Sequence, residues 1–96
     1  MDLVRVQWLE GNLARELGHF TEAKAALRGA YDSFLDLQLA AEVFLVSLDL
    51  AGAYSVSGEP RQAKKVLRES IPLGEALGFS REVFLARLLY EKASRH

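Results

Sequence analysis

Apolar residues recur every three or four positions along almost the whole chain. Leu3, Val6, Leu9, Leu13 and Leu17 form one such stripe, and Ala23, Leu27, Ala30, Tyr31 and Phe34 form a second. That period is the mark of a helix with one buried face. Arg28, Asp32 and Asp36 lie off the second stripe. Gly18 stands between the stripes, well placed to end a helix in a left-handed conformation. Thr21 is the expected N-cap of the next helix, with Glu22 in its first turn. A third helix is expected from about Leu39 to Ser57. Val43, Phe44, Leu45, Val46, Leu48, Leu50, Ala53, Tyr54 and Val56 cover nearly its whole circumference, as on a helix packed from several sides. Gly58-Glu59-Pro60 predicts the next turn, with a fourth helix from about Arg61 to Gly78. Ser80 is the expected cap of a fifth helix running towards Ser94. Pro72 interrupts the fourth helix. It removes the hydrogen bond to the Arg68 carbonyl and predicts a kink or an early break.

The pattern repeats with one offset. Glu42-Val43-Phe44-Leu45 returns 40 residues later as Glu82-Val83-Phe84-Leu85. Gly18 matches Gly58, Ala23-Lys24 matches Ala63-Lys64, and Leu27-Arg28 matches Leu67-Arg68. One domain is expected, with repeat one over 1–40, repeat two over 41–80 and a half repeat or capping helix over 81–96. A single helical hairpin cannot bury its stripe alone; stacking the next beside it closes a continuous core.

Composition agrees with helices. Leu (17) and Ala (13) supply 30 of 96 residues, whereas Val, Ile and Thr supply 9. With no cysteine, disulfide scaffolds and thiolate metal sites are excluded. A net charge of −1 provides no overall field for nucleic acid or an anionic membrane. The opening residues, with Arg5, Gln7 and Glu10 among them, do not read as a signal peptide. Leu37 to Val56 is apolar enough to suggest a membrane span, but each of Glu42 and Asp49 would cost roughly 2.5–3.5 kcal/mol near a bilayer centre. A cytoplasmic protein is expected.

Gly11, Gly18-His19-Phe20, Ala23, Leu27 and Ala30, with Ala51, Tyr54, Gly58, Ala63 and Leu67 in the second unit, resemble tetratricopeptide repeats. Ala14 and Pro60 replace two of that family's aromatics, and Trp8 is displaced by about one position from its early tryptophan. The period exceeds the family's usual 34 residues, as in kinesin light chains and the sensor regions of bacterial helix-turn-helix regulators. The chain also resembles C-terminal repeat regions of bacterial regulators. This resemblance implies an all-α fold, a right-handed α-solenoid of five helices in stacked antiparallel hairpins, with about two and a half repeats. It further implies a non-catalytic module binding a protein or peptide in a groove lined by the first helix of each hairpin. By position, Arg5, Trp8, Asn12, Arg15, Leu45, Leu48, Ser55 and Leu85 would line it, with Gly52, Leu88 and Lys92. The family's carboxylate clamp is not expected, because Asp49 and Leu85 replace its amide and lysine. The lining is polar and basic, then apolar, and would suit an amphipathic helix or an extended peptide with an acidic end. Packing between hairpins is the competing role for those leucines.

Two further readings stay open. Phe84, Leu88 and Leu89 could pair the fifth helix with a second copy as a homodimer. A pocket among Leu45, Leu48, Tyr54 and Leu85 could hold a small apolar ligand. No cofactor or metal is expected: His19 and His96 read as surface histidines, since zinc needs three or four ligands. Asp32 and Asp36 read as a solvated face rather than paired catalytic carboxylates. Arg61, Lys64, Lys65 and Arg68 form a basic stripe, too small to predict nucleic-acid binding.

Overall fold

A computed structural model describes residues 2–95; Met1 and His96, including the surface histidine expected at His96, lie outside the described residues. The chain is all-helical. α1 spans Leu3–Glu16, α2 Phe20–Asp36, α3 Ala40–Val56, α4 Pro60–Leu77 and α5 Ser80–Ser94, with no strand among the described residues.

One device makes all four turns. Gly18, Gly58 and Gly78 take φ of 80°, 77° and 76°, and Gln38 takes 57°. In each turn the left-handed residue donates its N–H to the carbonyl three back. The residue after it donates to the carbonyl five back. In the first turn these bonds are Gly18 to Arg15 (3.0 Å) and His19 to Ala14 (2.9 Å). Two carbonyls left open by the helix end are thereby satisfied. Glycine adopts this conformation freely, whereas at Gln38 the side chain costs roughly 1 kcal/mol.

The turns are shorter than the expected capping implies. His19 and Phe79 occupy the N-cap positions, neither forms a side-chain cap, and Thr21 and Ser80 already lie in the first turns of α2 and α5. The next helix resumes two residues after the left-handed one, which leaves no place for a separate capping residue. Pro60 starts α4, where the missing N–H costs nothing. Pro72 does not break α4, which continues through it to Leu77. Pro72 and Arg68 are both exposed, so the carbonyl that loses its donor can be hydrated.

Each helix packs on the next, and beyond those neighbours only α1 with α3 and α3 with α5 touch. This order is consistent with a solenoid of helical hairpins, with α1 and α5 at opposite ends. The buried side chains form two clusters that share α3. Leu27, Tyr31 and Phe34 of α2 meet Val43, Val46 and Leu50 of α3 in one. Phe44 and Ala51 of α3 meet Leu67 of α4 and Val83 and Ala86 of α5 in the other. This double burial explains the all-round apolarity of α3, except at its end, where Val56 is exposed. The stripe expected on α2 is buried in full.

The stripe read on α1 is not. Leu3, Leu9, Leu13 and Leu17 are 81%, 69%, 58% and 62% exposed. Instead α1 turns Val4, Trp8 and Gly11 inward. Gly11 sets the approach to α2, since a Cβ there would lie 2.7 Å from Leu27 Cγ. Gly74 does the same for α4, where a Cβ would lie 2.5 Å from the Phe44 ring.

Candidate interaction surface

The expected groove lies along α1, α3 and α5, and its two halves differ. In the N-terminal half, one carboxylate gathers the polar side chains. Trp8 Nε1 donates to Asp49 Oδ2 at 2.7 Å, and Asn12 Nδ2 donates to the same oxygen at 3.0 Å. Arg15 Nη1 donates to the Asp49 backbone oxygen at 3.1 Å, and its Nη2 lies 3.7 Å from Asp49 Oδ1. Arg5 hydrogen-bonds Glu42 and pairs with Asp2 at 3.1 Å. The Arg5 hydrogen bond, above all, holds the Glu42 carboxyl below its ordinary value. Trp8 also meets Phe34 edge-on, with ring centroids 5.8 Å apart.

Arg5, Trp8, Asn12 and Arg15 therefore form a clasp from α1 to α3, and the positive charge of both arginines is matched within the chain. Asn12 Oδ1 is buried with no hydrogen-bond partner among the described residues. Asp49 organises the clasp, a role missing from the expected groove. A carboxylate inside an apolar run needs donors from a neighbour, and that was its signal in the sequence. Which donors would reach it depends on how α1 is rotated.

The C-terminal half is apolar and more open. Leu45 and Leu48 are half-buried and pack against the second core cluster. Ser55 is half-buried and borders a cleft of about 450 Å³ with Val56, Gly58, Pro60, Lys92 and Ala93. Leu85 is 49% exposed and Leu88 48%. The residues proposed for self-association divide: Phe84 is 62% exposed and shares the open surface with Leu88, whereas Leu89 packs against the core. Tyr54 lies between the two clusters.

On the outer side, the basic stripe is partly engaged by Tyr90 of α5, which sequence reasoning missed. Arg68 Nη2 donates to the Tyr90 hydroxyl at 3.3 Å, and Lys64 Nζ lies 5.5 Å from the ring centroid. The Arg68 hydrogen bond is the main cause lowering the Tyr90 pKa. Arg68, Ile71, Pro72, Arg87, Tyr90 and Glu91 line a cleft of about 530 Å³ there.

His19 lies 3.9 Å from Glu22, and Asp32 pairs with Arg28 at 3.5 Å. Among the described residues no three histidines, cysteines or carboxylates gather to hold a metal ion. No helix there is long and apolar enough to cross a membrane. The chain matches no family model, no curated protein and no solved structure, so its function is read from its own surface.

Proposed function

We propose that the chain is a tetratricopeptide-like, right-handed stack of helical hairpins that binds a protein or peptide without catalysis or cofactor. The observation carrying this reading is that α5 leaves Leu85 and Leu88 open and touches α3, on which Leu45 and Leu48 are half-buried. Such a surface suits the apolar face of an amphipathic helix or alternate side chains of an extended peptide. The α1–α3 clasp changes which part of the groove does the binding. Arg5 and Arg15 already face Glu42 and Asp49, so an acidic ligand end is directed to Lys92, which has no ion-pair partner among the described residues. The module fits a cytoplasmic role as the C-terminal part of a bacterial regulatory protein.

Panning a displayed peptide library against the 96-residue chain tests this reading. Selected peptides should carry apolar residues at helical or alternating spacing. They should lose at least about tenfold in affinity to Leu85→Glu, since burying a charge against an apolar ligand costs more than the 1.4 kcal/mol of a decade. Arg61→Glu on the outer face should leave binding unchanged. No selection, or selection indifferent to Leu85, would remove the groove.

A further inference from the structure

The two ends of the stack differ in charge. Residues 1–60 hold nine acidic and four basic side chains, and residues 61–96 hold four acidic and eight basic ones. At the α1 end, the exposed Leu3, Leu9, Leu13 and Leu17 are bordered by exposed Glu10, Glu16 and Glu22. At the α5 end, exposed Phe84 and Leu88 are bordered by exposed Arg81 and by Arg87, which pairs with Glu75. α1 and α5 do not touch, so both surfaces are free at once.

The offset of 40 residues shows what these surfaces resemble. Leu3, Val6 and Leu13 stand 40 residues before Val43, Val46 and Ala53, all buried where α3 packs on α2. α1 thus presents outward the kind of face that α3 packs against the preceding helix. Phe84 stands 40 residues after Phe44, which packs on Gly74 and stacks on Phe79 at 5.8 Å. α5 presents the aromatic without a helix over it. Buried Ser47 and Ala51 of α3 correspond to exposed Arg87 and Glu91, so charge surrounds that patch.

We propose that a second copy of this chain covers each surface, head to tail: the acidic, leucine-rich α1 end of one copy docks on the basic Phe84–Leu88 end of another. Charge decides between this and a two-fold dimer. Pairing α5 with α5 brings two copies of a net basic surface together, with Arg81 unpaired in each among the described residues, and pairing α1 with α1 does the same for the acidic Glu10 and Glu16. Like charges disfavour both arrangements, whereas the head-to-tail contact sets acids against bases. Such a contact uses two different patches and does not close on itself, so copies add in a row unless the rotation forms a ring. This contact shares Leu88 with the proposed peptide surface, whereas Phe84 and the α1 leucines lie outside that surface and tell the two apart.

Sedimentation velocity on the full chain, from low to high micromolar concentration, tests the proposal. The mass should grow with concentration beyond a dimer, or to a ring, and high salt should weaken association about three- to tenfold as the rim charges are screened. Leu13→Glu and Phe84→Glu, both at exposed positions, should each be monomeric with unchanged helicity. An equimolar mixture of the two should form a dimer that grows no further, because each variant keeps the face the other has lost. Leu17→Glu and Leu88→Glu serve in their place if either variant loses helicity. A wild-type chain monomeric throughout overturns the proposal. So does loss of association in only one of the two variants, which would mark a two-fold contact through that helix.

Discussion

Asp49→Ala tests the clasp from α1 to α3. The carboxylate accepts from Trp8 Nε1 at 2.7 Å and Asn12 Nδ2 at 3.0 Å. Hydrogen bonds to charged groups contribute about 1.5–3 kcal/mol each. Asp49 is 27% exposed and Arg15 29%, so water reaches the freed donors and the ion pair adds less than about 1 kcal/mol. A combined loss of roughly 2–3 kcal/mol follows, of which alanine's better helix propensity restores about 0.6. The net is about 2 kcal/mol, or roughly 8–16 °C in Tm for a domain of this size. Asp49→Asn keeps one acceptor oxygen without the charge and should lose about half as much. Urea unfolding followed by helix circular dichroism measures both, and Trp8, the one tryptophan, reports the clasp by fluorescence. A double-mutant cycle with Trp8→Phe should give a coupling of about 1 kcal/mol. If Asp49→Ala shifts stability by less than about 0.5 kcal/mol, the range of an ordinary surface change, the clasp carries no weight in the fold.

Gln38→Gly should stabilise the chain by about 0.5–1 kcal/mol in a urea titration, because the left-handed φ of 57° favours glycine. Gly11→Ala and Gly74→Ala should each destabilise by about 1–3 kcal/mol despite better helix propensity, because the new methyl meets Leu27 and the Phe44 ring. Gly52→Ala should be neutral or stabilising by up to about 1 kcal/mol, because its Cβ meets only the tip of Arg15 at 3.0 Å. Stability should also fall on acidification. Glu42 and Glu59 are held below the ordinary 4.5, chiefly by hydrogen bonds from Arg5 and Lys24. The unfolded chain therefore binds more protons in the window beneath that value. Their contribution is full above the window and is lost as pH falls through the depressed pKa values. Urea midpoints across mildly acidic pH should show this slope, and Arg5→Met with Lys24→Met should flatten it.

Helix number, the glycines that end helices at three turns and the buried stripe of α2 were legible along the chain. Each rests on local chemistry: leucine and alanine favour helix, glycine tolerates positive φ, and a helix packed on both flanks by its chain neighbours must bury its most apolar face. The fourth turn had no glycine, so Gln38 is left-handed only because the helices on either side must reverse there. Pro72 stays within α4 because it faces water, a fact of position and not of residue type.

The rotation of α1 was decided by tertiary structure. Its leucines suggest one buried face by spacing alone, yet the helix turns another inward. Gly11 admits Leu27 closely, and Trp8, Asn12 and Arg15 reach a carboxylate on α3. A period of 3.6 residues reveals that a helix has faces, but not which face a neighbour will satisfy. For the two outer helices that choice depends on partners distant in sequence. It turned half of the expected groove into an internal contact and left the leucines of α1 on the surface.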